Sequence, residues 1–332
     1  MPDRATDVAP YRRSLSRHRR EIWVAAAIAL LFVALGIARP EYFSRGNLTD
    51  LFLANFAVLI IAAGMTLVVL TGDIDISVGS LFAVCAVSAG VLAKAGFPTP
   101  LVFVLICVLG ALAGTLNGSL VAFLRLPSIV VSLAMMIVLR DALRWITQGA
   151  WVQNLPPTFQ WMGLSQAAYP FAAGAAAVFV VGTLAWGLRY TAAGRLIYAT
   201  GSSRDAARLA GVKASLVTLS VFATLGALTG LAAVLNAMRF NQVPANTGLG
   251  LELKVIAAVL VGGTSITGGR GTILGTVLGV ALLGAIGPAL TFLGVSAYWE
   301  RAIQGAIILV AVAADAVPRI SHRYAVLRHA RA

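Results

Sequence analysis

Long apolar runs recur along this chain, each about as long as a helix must be to cross roughly 30 Å of bilayer hydrocarbon. They lie near 21–38, 51–71, 77–94, 101–124, 128–147, 169–188, 214–236, 251–267, 272–293 and 299–317, separated by Gly, Pro or polar residues. The expected fold is an all-α polytopic membrane protein of about ten transmembrane helices, not a barrel. Composition agrees, since 59% of residues are hydrophobic and 11% charged, against about 45–50% and 25% in soluble proteins.

The runs divide the chain into a basic tail over 1–20, a membrane domain over 21–317 with a polar loop at 190–213, and a basic tail over 318–332. An even number of spans leaves both termini on one side. Eight basic residues (Arg39, Arg45, Lys94, Arg140, Arg144, Arg239, Lys254 and Arg301) fall on the other side or within spans, and the remaining 17 of 25 gather on the side of the termini. Lys and Arg favour cytoplasmic loops, so both termini are expected in the cytoplasm. The same arrangement accounts for the net charge of +13. Basic residues at span ends suit topology and anionic lipid contact; a nucleic-acid surface would interleave them with aromatics on one face. The first run shows no small-residue cleavage site and reads as an uncleaved helix. Cys85 and Cys107 lie inside runs, with no disulfide framework or metal-ligand spacing, and His18, His322 and His329 lie in the tails. A membrane enzyme is left without a nucleophile or metal constellation.

Residues 70–81, LTGDIDISVGSL, put Asp73 and Asp75 between two apolar runs. An Asp at the bilayer centre costs roughly 2.5–3.5 kcal/mol on insertion scales, so two of them require a polar or protein-buried setting. Two readings stand. The stretch is a cytoplasmic turn with Asp75 or Ser77 capping the next helix, or it is a break at membrane depth, where Gly72 and Gly79 let the backbone unwind beside a translocation path. In both, Asp75 and Ser77 accept hydrogen bonds from a helix N-terminus.

A second Gly-rich stretch, GGTSITGGRG at 262–271, spaces Gly263 and Gly268 like a phosphate loop but follows them with Gly269 and Arg270, where such a loop needs Lys and then Ser or Thr. A tight interhelical turn is expected there. The polar loop contains TAAGRLIYATGSSRDAARLAGVK. Ser203 as N-cap, Asp205 in the first turn, Arg208 in the last and Gly211 beyond predict a helix over Arg204 to Ala210. At about 10 Å it spans nothing, and so short a helix is ordered by docking.

Four collinear segments, LTGDIDISVGS, LNGSLVAFLRLPSIVVSLAM, YATGSSRDAARLAGVK and NTGLGLELKVIAAVLVGGTSITGGRGTILGT, resemble the permease subunits of bacterial ABC sugar importers, the ribose/xylose/rhamnose/autoinducer group. The likeness covers nearly all of residues 40–316. It implies a permease of the bacterial inner membrane that works with a cytoplasmic ABC ATPase, a periplasmic sugar-binding protein and a second permease chain, identical or related. The chain then needs no cofactor of its own, because ATP and Mg are bound by the partner ATPase. GSSRDAARLAG resembles the family's short helix that fits a cleft in the ATPase, which implies docking by Arg204, Asp205, Ala206, Ala207, Leu209 and Gly211. Where the family usually carries Gly-Ile-Asp-Leu-Ser, Asp75, Ser77 and Gly79 match and Asp73 departs.

The polar set Asn55, Asn117, Ser119, Ser132, Asn236 and Thr264 falls within or at the ends of spans, where such residues bond neighbouring helices or line a path. With Asp73, Asp75 and Ser77, the path candidates are Asn55, Asn117 and Thr264. The longest outer loop, 146–168, carries Trp151, Pro156, Pro157 and Trp161, suited to a rigid interfacial surface. It either anchors at the headgroups or receives a binding protein. The resemblance ranks a monosaccharide as cargo, rhamnose first and a ribose or autoinducer-like sugar next. The alternative is an ion-coupled secondary sugar transporter, which would need intramembrane acids of its own. Beyond 70–81, however, Asp141, Glu252 and Glu300 have basic sequence neighbours and Asp315 lies near a span end.

Overall fold

A computed structural model describes residues 19–310 apart from 297 and 308; the three histidines, Asp315 and most of both basic tails lie outside the described residues. The helices are α1 (Arg19–Ala38), α2 (Arg45–Leu70), α3 (Val78–Lys94), α4 (Thr99–Ala122), α5 (Ser128–Thr147), α6 (Tyr169–Tyr190), α7 (Ala192–Ser202), α8 (Arg204–Leu209), α9 (Ala214–Ala237), α10 (Leu251–Val261) and α11 (Ile273–Phe292). Two short strands, β1 (Val152–Gln153) and β2 (Gln242–Val243), pair antiparallel, and 299–307 is helical.

By length and composition six helices can cross a membrane: the 18 residues Glu21–Ala38 of α1, then α2, α4, α6, α9 and α11. The other expected spans differ for physical reasons. α5 is long enough at 20 residues but carries Arg140, Asp141 and Arg144. α3 is shortened to 17 residues because the chain is non-helical before Val78. The continuous helix expected over 251–267 is corrected to a run of turns at 244–250 followed by α10, whose 11 residues reach only about 16 Å. Gly248 and Gly250, in left-handed conformations, precede α10, and Gly262 and Gly263 end it. Because α6 runs from the β1 side to α7 and α8, one end of the bundle holds α8 and the other holds the β1–β2 ribbon.

The tightest helix pair is α4 against α9. Gly110, Gly114 and Gly118 recur every fourth residue on α4, and Gly226 and Gly230 do so on α9. A Cβ on Gly110 or Gly114 would overlap the carbonyl oxygen of Gly226 or Phe222, so the two backbones touch. Lipid tails are as apolar as leucine, and close backbone approach between small residues is how membrane helices gain contact. Around this pair α2 is the central element, buried from Phe56 to Leu70 almost without interruption. It is tied to α11 by a buried Thr66–Thr276 hydroxyl contact of 2.7 Å. α1 lies on the outside of α11, with Leu35 and Tyr42 packed on Ala289.

Candidate functional site

At the α8 end the backbone between α2 and α3 leaves helical form, and side chains satisfy its polar groups. Gly72 adopts φ 82° to turn the chain, and the Asp73 N–H returns to the Val68 carbonyl at 3.2 Å. The Ile74 peptide is held at both ends from α5: Ser128 Oγ accepts its N–H at 3.2 Å, and Ser132 Oγ donates to its carbonyl at 3.4 Å. Asp75 Oδ1 accepts from the Ser77 N–H at 2.8 Å and from Ser77 Oγ at 2.6 Å. Asn117, reaching in from α4, donates to Ser77 Oγ at 2.9 Å and to Asp75 Oδ2 at 3.3 Å. Asp75 is 2% exposed, Asn117 1% and Ser77 fully buried. Ser77 is the N-cap residue of α3, but its side chain does not cap, and Asp75 instead closes a local turn onto the backbone two residues ahead.

Asp73 faces a different partner. Its Oδ2 accepts from Thr71 Oγ1 at 3.3 Å and pairs with the Arg204 guanidinium at the start of α8. These two side chains border a cavity of about 420 Å³ whose walls also include Arg125, Ser128 and Arg208. The 70–81 stretch, the GSSRD segment and the GGTSITGGRG turn thus meet at one corner. The Gly269 N–H donates to the Leu70 carbonyl at 2.9 Å, and Tyr198 Oη donates to the Gly271 carbonyl at 2.8 Å. Gly201 lies so close that a Cβ there would overlap the Leu70 carbonyl oxygen.

The polar loop holds two helices where the sequence predicts one. α7 is started by Thr191, whose side chain accepts the Gly194 N–H, and it buries Gly194, Ile197 and Thr200 at three-residue spacing. That spacing is legible in AAGRLIYATGS. Ser203 then caps α8 by accepting the Ala206 N–H at 3.2 Å, and Gly211 takes φ 81° just past the helix, which ends at Leu209, one residue before the expected Ala210. Of the six residues expected to dock, Ala207 points inward and is buried. Arg204 is turned onto Asp73, while Asp205 is exposed and Leu209 stands 92% exposed as an apolar projection.

Two path candidates lie elsewhere. Asn55 lies 15 residues before Leu70, where α2 ends short of Asp75, about 22 Å along the helix; its Nδ2 donates to the Leu51 carbonyl and it packs on Gly284 of α11. Thr264 is buried in the Gly-rich turn against Gly271. Glu252 lies within electrostatic reach of Arg140 on α5, and its sequence neighbour Lys254 within that of Glu300. Among the described residues no group of three His, Cys, Asp or Glu side chains comes together to hold a metal, and Cys85 and Cys107 are free thiols. Ser128 carries no local signal as a partner of the break, because only the fold brings the start of α5 beside Ile74.

The family described as branched-chain amino acid transport system / permease component matches residues 47–312. The chain belongs to this family. The permease is 37% identical over 299 residues to the autoinducer 2 import system permease protein LsrC of Escherichia coli K12, covering 90% of this chain and 87% of that one. It is 38% identical over 298 residues to LsrC of Salmonella typhi, covering 88% and 84%, and 36% identical over 299 residues to that of Shigella flexneri, covering 90% and 87%. No solved structure matches it. The permease is thus a non-catalytic, multi-pass membrane subunit of an ABC importer, and membership of this family favours ATP-driven import over ion-coupled symport.

Proposed function

We propose that the permease forms part of the inner-membrane pore of an importer for a small sugar-like molecule of the autoinducer 2 type. Its power comes from a cytoplasmic ATPase that engages α8, its cargo from a periplasmic binding protein, and a second permease chain completes the pore. The names of its relatives put autoinducer 2 ahead of rhamnose as cargo. The α8 end is cytoplasmic in this reading, with both termini on that side, which suits the 17 basic residues gathered there.

The observation that carries the mechanism is the junction of α7 and α8 with the broken segment. Exposed Leu209 and Asp205 are free to meet a partner. Arg204 and Gly201 are fastened to Asp73 and Leu70. A push on α8 therefore has a stiff route into residues 71–77, and from there into α3 and, through Asn117, α4.

Uptake in proteoliposomes tests the proposal. Labelled autoinducer 2 and rhamnose are expected to accumulate only with ATPase, ATP and binding protein present, and not under a proton or sodium gradient alone. Gradient-driven uptake without the ATPase would overturn it. The junction has its own test. Arg204→Glu sets two acids together and leaves the Asp73 carboxylate, nearly enclosed, without its cation; an unpaired buried polar group costs about 1–3 kcal/mol. Uptake is expected to fall about tenfold or more while the ATPase still co-purifies, and the reversed pair Asp73→Arg with Arg204→Glu is expected to recover part of it. Normal uptake in the single variant would show that force does not pass through this pair.

A further inference from the structure

The ribbon end holds a cavity of about 560 Å³, separate from the α7–α8 junction and the 71–77 break. It lies between the β1–β2 ribbon, the end of α9 and the turns at 244–250 that precede the half-length α10. Two half-exposed aromatic side chains, Trp151 and Phe240, stand in its wall, with the carboxamides of Asn236, Asn241 and Gln242, and Thr247 on the side of α10.

Every lining residue is uncharged. Arg239, stacked 5.1 Å from the Phe240 ring centre, spends its guanidinium on the Leu53 carbonyl, and Arg140 donates to the Thr247 carbonyl at 2.9 Å. The walls are held firmly. The Leu155 N–H donates to the Asn241 carbonyl at 3.1 Å, the Trp161 N–H to the Met238 carbonyl at 2.8 Å, and Gln160 Nε2 to Asn241 Oδ1 at 3.3 Å. Among the described residues no protein group bonds the side-chain amides of Asn236 or Gln242.

The volume falls within the usual range of about 300–1,000 Å³ for small-ligand sites. A carboxamide offers an acceptor and two donors, which matches a hydroxyl acting both ways, and an aromatic face covers the C–H surface of a ring. The missing cation argues against a carboxylate or phosphate. We propose that this cavity is a binding subsite for a compact, neutral, polyhydroxylated ring, where cargo rests on the α10 turns before passage. It rests on the reading above that the cargo is sugar-like.

The test uses the permease–ATPase complex in lipid nanodiscs without binding protein. Saturation-transfer NMR is recorded with millimolar autoinducer 2, ribose and rhamnose, and with ribose 5-phosphate as the charged probe. Wild type is expected to bind at least one neutral sugar and not the phosphate. Trp151→Ala and Asn236→Leu are expected to weaken that binding about tenfold, the effect of about 1.4 kcal/mol, with Trp151→Phe close to wild type. Should Asn236→Leu fail to assemble, Gln242→Glu, whose side chain is exposed, carries the same test and is expected to weaken binding similarly. Unchanged binding in the assembled variants, absence of binding in wild type, or equal binding of ribose 5-phosphate overturns the subsite. Uptake by the wild-type complex is scored separately, so that failure of transport and failure of the subsite give different results.

Discussion

Asp75→Ala is expected to abolish uptake and to lower the melting temperature of the purified complex, whereas Asp73→Ala leaves the fold intact and weakens only coupling. Asp75 accepts three hydrogen bonds, from the Ser77 N–H, Ser77 Oγ and Asn117 Nδ2, at a point with almost no access to water. Alanine leaves the Ser77 amide without its acceptor and strips Asn117 of one of two. Each orphaned buried group costs about 1–3 kcal/mol, a large share of a marginal total of about 5–15 kcal/mol. Asp75→Asn keeps one acceptor oxygen and the shape, so an intermediate loss is expected. Asp73 is buried too, but its loss leaves Thr71 Oγ1 bonded to the Val68 carbonyl and frees a half-exposed Arg204 guanidinium to find water. The comparison is made by sugar uptake beside thermal unfolding of each variant. Full activity and an unchanged melt for Asp75→Ala would reduce the 71–77 segment to an ordinary connection.

Gly226→Leu is expected to prevent recovery of folded protein altogether. The Cβ alone would overlap the Gly110 carbonyl oxygen, and a backbone atom inside a helix cannot rotate away as a side chain can. α4 and α9 would have to separate, opening the contact through Gly114 and Gly230 as well. Overpacking a core costs about 1–3 kcal/mol where side chains can adjust, and here more is expected because they cannot. Gly182→Leu on α6 is the control, since a Cβ there meets nothing within 4 Å. Yield of monodisperse protein on size-exclusion chromatography separates the two. Equal recovery of both variants would mean that the α4–α9 contact does not hold the bundle together.

Local chemistry explains what could be read in advance. Ser203 and Gly211 predicted both limits of α8 to within a residue, because capping needs only a side-chain oxygen and a residue tolerant of positive φ at the right places. The same locality exposed the break at 71–77 and the tight turn at 262–271, where glycines and acids interrupt apolar runs. α10 was misread as a full span because its apolar content continues into Gly262 and Gly263, and hydropathy does not register where helical hydrogen bonding stops. Asn55 entered the same candidate list as Asp75 through residue type alone, and the fold separates them by most of the length of α2.

The sequence by itself determined the membrane-spanning, α-helical form and the position of the breaks, since hydrocarbon forces backbone bonding within each segment. Only the tertiary structure decided which faces meet. On α4, Val104, Val108 and Leu112 are exposed while Val102 and Ile106 are buried, and hydropathy does not tell the two sets apart. In water apolar residues are drawn to face protein; in lipid they can face either, so apolar periodicity loses its power to assign a side. The pairing of Asp73 with Arg204, 131 residues away, and the gathering of Trp151 with residues 236–247 around one cavity follow from that choice of faces.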